Sequence, residues 1–92
     1  MSEPRVRAHV IVSGRVQRVW FRQSTAQHAM EIGVDGWVGN LDDGRVEAVF
    51  EGSPMVVARA VDYVRRGPEQ ARVDDVELTY ESPQGERGFS VR

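Results

Sequence analysis

Cysteine is missing from the 92 residues, and its absence excludes disulfides, thiolate metal sites and a cysteine nucleophile. Lysine is missing too. All 12 basic residues are arginine, so every cation here is a planar fork able to hold an oxyanion bidentately. No run approaches the roughly 18 apolar residues that a membrane helix needs, and Met1-Ser2-Glu3-Pro4-Arg5 lacks the charged start and apolar stretch of a secretory leader. These absences predict a cytoplasmic protein with no membrane partner. A basic excess is also lacking. The net charge of -2 argues against general nucleic-acid binding, which needs a basic face to displace counterions.

What is present is ordinary for a folded chain: 40% hydrophobic and 28% charged residues, far from the composition of disorder. The length predicts a single domain over residues 1–92 built on one core. Residues 5–13 alternate, with Val6, Ala8, Val10 and Val12 on one side and Arg7, His9, Ile11 and Ser13 on the other, the mark of a strand. Residues 21–32 carry Phe21, Ala26, Ala29, Met30 and Ile32 at helical spacing, closed by Gly33. Residues 34–41 and 45–51 read as strands joined by a two-residue turn at Asp43-Gly44. Ser53-Pro54 opens a second helix with Val57, Ala60, Val61 and Val64 on one face, and it ends at Arg66 before Gly67-Pro68. Val76, Leu78 and Tyr80 mark a fourth strand, and Phe89 and Val91 can extend the sheet. The order βαββαβ predicts an α+β, ferredoxin-like α/β sandwich, an antiparallel sheet with two helices on one face.

A fold of this kind hosts many functions, so function must be read from a site. The stretch Gly14-Arg15-Val16-Gln17-Arg18-Val19-Trp20-Phe21-Arg22 is a loop opening a helix. Backbone N–H groups in such a loop, with the positive end of the helix, form a concavity suited to phosphate. Arg22 in the first turn can add a bidentate grip. No Gly-Lys-Ser/Thr follows, so a Walker loop is not implied. Spacing alone leaves open a second reading, in which Arg22 is an arginine solvated at a helix start.

Two motifs go further. The run Val12-Ser13-Gly14-Arg15-Val16-Gln17, followed by Val19, Phe21 and Arg22, resembles the first signature of the acylphosphatase family. The run Gly36-Trp37-Val38-Gly39-Asn40, then Gly44, Val46 and Gly52, resembles its second, and Arg66-Gly67-Pro68 and Phe89 also fit. The resemblance covers nearly the whole chain. It implies hydrolysis of a small-molecule acyl phosphate to carboxylate and inorganic phosphate, by direct water attack without metal or cofactor. By position it makes Arg22 the phosphate-binding guanidinium and Asn40 the residue that orients the water. The backbone N–H groups of Arg15, Val16, Gln17, Arg18 and Val19 complete the phosphate cradle. A monomer is expected.

One departure stands out. Arg18 occupies the position where the family usually has a second loop glycine, and Trp20 stands where a small residue is common. If position 18 needs positive φ, arginine costs about 1 to 2 kcal/mol there. Arg18 therefore sustains an alternative, a catalytically silent anion-binding or regulatory domain of the same fold. An RNA-binding reading is weaker, because the third strand carries Glu47 and Glu51 where basic and stacking residues belong. His9 and His28 are expected to be solvated, Asp42 and Asp43 to form the turn, and Trp37 and Phe50 to pack.

Overall fold

The structure, a computed structural model, describes residues 4–92; Met1, Ser2 and Glu3, the start of the segment searched for a leader, lie outside them. Strand β1 (Val6–Arg15) is an interior strand of the sheet, and its alternation gives it two distinct faces. Ala8, Val10 and Val12 are fully buried, while Arg7, His9 and Ile11 point to the other side of the sheet. Strand β3 (Val46–Gly52) pairs antiparallel with β1 from Val6↔Gly52 to Val12↔Val46. Strand β2 (Asp35–Asn40) pairs antiparallel with β3, and β4 (Arg72–Glu81) with the opposite edge of β1. The sheet order is β4-β1-β3-β2-β5, where β5 is Phe89–Val91.

Helix α1 (Phe21–Ile32) buries Phe21, Thr25, Ala26 and Ala29, and α2 (Pro54–Arg66) buries Val57, Ala60, Val61 and Val64. Both pack against the same face of the sheet, in one core with Ala8, Val10, Val12, Val38 and Phe50. Ser53 caps α2 by accepting a hydrogen bond from the Val56 N–H at 3.4 Å.

Four expectations need correction. The sheet is mixed, because β5 runs parallel to β2 after the chain has crossed from one edge of the sheet to the other. The β2–β3 connection has three loop residues, Asp42, Asp43 and Gly44, closed by Leu41 N–H to Arg45 C=O at 2.8 Å. Gly44 sits at φ 95, the left-handed conformation such a loop requires of its last residue. Strand β4 begins at Arg72 rather than Val76. Met30 is 62% exposed, and Thr25 takes the buried place on α1.

On the helix-free face lies a fully buried carboxylate, Glu51. It accepts the Arg7 guanidinium at 2.6 Å and the N–H groups of Gln84, Gly85 and Glu86 at 2.9, 3.1 and 3.1 Å. Arg7 also reaches Glu81 and Glu86, each at 3.0 Å. Burial alone would raise the Glu51 pKa, but the Gln84 N–H, the Arg7 guanidinium and the Glu86 N–H together hold it below the usual glutamate value. This stabilisation is complete above the unfolded-state value and is lost as pH falls through the lower folded-state value. Glu51→Gln should destabilise the fold by roughly 3 kcal/mol, the low end for breaking a buried pair, since Arg7 keeps two other carboxylates. In urea unfolding, the gap between parent and variant should be widest near neutrality and narrow below about pH 4.3.

Candidate functional site

Between β1 and α1, residues 16–20 form a loop tied down at two points. The side chains of Val16 and Val19 are buried in the core, which leaves Gln17 half-buried and Arg18 and Trp20 exposed. Arg18 and Trp20 both adopt left-handed backbone, at φ 62 and 64. Arginine therefore takes up the conformation for which glycine is suited, at a cost of about 1 to 2 kcal/mol. Among the described residues, no main-chain acceptor takes a hydrogen bond from the N–H groups of Val16, Gln17, Arg18, Val19 or Trp20. Five backbone donors on a short bent segment, next to the positive end of α1, make an anion-attracting surface.

Helix α1 starts at Phe21, whose buried ring packs against Gly67 so tightly that a Cβ there would lie 2.6 Å from Phe21 Cε2. That contact locks the first turn and the position of Arg22. Arg22 Nη1 donates to a main-chain oxygen of Arg92 at 3.0 Å. Arg92 is itself held twice, by its N–H on the Val38 carbonyl at 2.8 Å and by its guanidinium over the Trp37 ring at 3.9 Å. Asn40 ends β2, exposed and paired with Val46. The strand can run so close to β3 because Gly36 has no side chain: a Cβ at Gly36 would fall 1.8 Å from the Val49 carbonyl oxygen.

These parts meet around one cavity of about 480 Å³. Val16, Gln17 and Arg18 form one wall, Arg22 and Asn40 another, and Trp20, Phe21 and Gln23 complete it. Among the described residues neither a carboxylate nor a histidine lines it, and the charged side chains that do are the guanidinium groups of Arg18 and Arg22. Such a cavity can bind an oxyanion and supply hydrogen bonds, but it offers no side-chain acid or base near neutrality.

Of the residues expected from sequence, Val16, Gln17, Arg18, Arg22 and Asn40 are brought together here. Val19 lies buried behind the wall, and Arg15 is the last residue of β1, paired with Arg72. Asp43 forms the turn as expected, accepting the Arg45 N–H at 3.1 Å. Phe50 packs in the core and stacks on Phe89 at 5.8 Å. The histidines are engaged rather than simply solvated. His9 Nε2 lies 2.6 Å from Glu47 on the helix-free face, and His28 stacks on Tyr63 at 4.4 Å. Sequence reasoning missed Arg92, which is 70 positions from the guanidinium it holds and announces itself by no spacing rule.

The chain matches the Acylphosphatase family over residues 8–91. It is 57% identical over 86 residues to an acylphosphatase of Haloarcula marismortui, covering 94% of each chain. It is 56% identical to one of Roseiflexus sp., covering 92% of each. Its fold superposes on the crystal structure of acylphosphatase from Bacillus subtilis with a TM-score of 0.91 at 36% identity, over 95% of this chain and 98% of that one. An acylphosphatase structure from Coxiella burnetii gives the same TM-score and identity over 96% and 93%. A match of this length and closeness, on a fold that brings the two expected motifs to one cavity, means that the chain belongs to the acylphosphatase family.

Proposed function

We propose that the cavity holds the phosphoryl group of a small acyl phosphate while water attacks phosphorus directly, with neither a metal nor a phosphorylated enzyme. One observation carries this reading: the loop residues Val16, Gln17, Arg18 and Trp20, whose N–H groups have no main-chain partner among the described residues, and a guanidinium braced by a main-chain oxygen line the same cavity as Asn40. Phosphoryl transfer asks mainly for positioning and charge stabilisation, which such a site supplies. Arg22 and the backbone N–H groups of residues 15–19 take the phosphoryl oxygens. The Asn40 side-chain carbonyl accepts a hydrogen bond from the water and aims its lone pair at phosphorus.

The new bond joins the water oxygen to phosphorus, and the bond broken is that from phosphorus to the carboxyl oxygen. The carboxylate leaves with the electron pair and needs no acid, because the pKa of its conjugate acid is about 4 to 5 by analogy with side-chain carboxyls. A phosphoryl oxygen takes the water's proton, in keeping with a lining that has no carboxylate or histidine among the described residues. The likeness to acylphosphatases at over 50% identity speaks against a silent anion-binding domain. The same reading makes the protein a cytoplasmic monomer of one domain that acts on no nucleic acid. Within the described residues no helix is long and apolar enough to cross a membrane.

Steady-state hydrolysis of acetyl phosphate tests the roles separately. Asn40→Ala should lower kcat about 100-fold or more while inhibition by inorganic phosphate stays within about threefold; full turnover in this variant would end the proposed role of Asn40. Arg22→Ala should weaken phosphate inhibition at least about tenfold, the range for a charged hydrogen bond. Rates should be unaffected by a chelator, and a loss restored by divalent metal would contradict direct attack. Arg18→Gly should raise stability by about 1 kcal/mol, the strain relieved less the chain entropy glycine adds, with activity retained. Denaturant unfolding beside the same assay measures both.

A further inference from the structure

Gln17 touches both halves of the cavity. Its backbone belongs to the loop whose neighbours Val16 and Val19 are buried in the core, so one end of the residue is fixed. Its side-chain Nε2 crosses to the hairpin and donates to two carbonyls, Leu41 at 2.8 Å and Arg45 at 3.0 Å. Both acceptors are carbonyl oxygens, so the amide must present its NH₂ group there. Leu41 follows Asn40 directly. An unbroken path therefore runs from the phosphate-facing loop through the Gln17 amide to the backbone carrying Asn40.

The bonds are not needed to form either half. The hairpin closes on its own through Leu41 N–H to Arg45 C=O, Gly44 N–H to Leu41 C=O, and the Asp43 carboxylate on the Arg45 N–H. The loop is anchored by its two valines. What Gln17 adds is a direct tie between the loop and the hairpin turn, beyond the pairing of β1 with β3. With both amide protons given to carbonyls, its side chain has no donor left for a phosphoryl group. We propose, building on the function proposed above, that Gln17 is a positioning residue for hydrolysis: it sets the distance from the phosphoryl oxygens to the Asn40 side chain. The water is thereby held in line with the leaving carboxylate. A reacting group misplaced by about 1 Å can cost on the order of 100-fold in rate, so so small a tether carries a large lever.

Gln17→Met keeps the length of the side chain and removes both donors, and acetyl phosphate with inorganic phosphate as inhibitor supplies the readout. Expected is a fall in kcat of about 10- to 100-fold with the phosphate inhibition constant within about threefold, at temperatures well below the unfolding midpoint. Gln17→Asn, one methylene too short to reach either carbonyl, should do the same, and it answers the question if the methionine variant does not fold. In the double variant Gln17→Met with Asn40→Ala the losses should not multiply, because Gln17 acts through Asn40. Unchanged kcat, a parallel loss of phosphate binding, or losses that multiply would each overturn the assignment. Full turnover of Asn40→Ala alone would instead overturn the water-orienting role on which it rests.

Discussion

A carboxylate with no exposed surface holds the far end of this molecule in place. Stripping water from Glu51 is costly, and the cost is offset because three consecutive N–H groups and the Arg7 guanidinium converge on its two oxygens. The N–H groups belong to Gln84, Gly85 and Glu86, so the same interaction ties down the segment that leaves β4 at one edge of the sheet and returns at the other. Once that segment is pinned, Phe89 can stack on Phe50 and β5 can pair with β2. Arg92 then falls beneath the Val38 carbonyl and over Trp37, where its main-chain oxygen braces Arg22. A buried ion pair on the helix-free face thus governs a guanidinium at the cavity, on the other side of the chain's longest excursion.

The loop shows the opposite economy. Two residues in left-handed backbone, five N–H groups without a main-chain partner among the described residues and a tryptophan 71% exposed are each unfavourable for a folded chain. They persist because Val16, Val19 and Phe21 are clamped into the core on either side. Strain concentrated where the surroundings over-determine the backbone is the usual mark of a working segment, and here it coincides with the cavity. Charge follows the same division: carboxylates gather on the helix-free face, and among the described residues the charged groups at the cavity are guanidinium groups.

Much of the architecture was legible in the chain. Alternation in β1, the Ser53-Pro54 cap and the Gly67-Pro68 stop marked elements that the structure bears out, because each is a pattern written within a few consecutive residues. The start of β4 was harder to read. Arg72 and Val73 gain strand character only by pairing with Arg15 and Gly14, beyond a shift in register that leaves Asp74 as the extra residue. The direction of β5 was likewise hidden, since three residues carry no signal of which edge they join. Met30 had the right spacing for the core, yet Thr25 is buried instead, because the buried stripe of α1 runs through Phe21, Thr25 and Ala29 and leaves Met30 on its outer side.

The resemblance carried by the two motifs named Val16, Gln17, Arg18, Arg22 and Asn40, which share the cavity, and also Arg15 and Val19, which do not line it; a loop leading into a helix and a strand ending at a hairpin are local patterns. That Arg22, Asn40 and the loop belong together was therefore an expectation before any coordinates. The tertiary structure decided how those pieces are held. It set Arg92 against Arg22, and it stretched Gln17 between the loop and the hairpin. It also bent Arg18 into a conformation its own side chain disfavours. Each of these depends on segments far apart in the chain arriving at one place, a result of packing that no local spacing encodes.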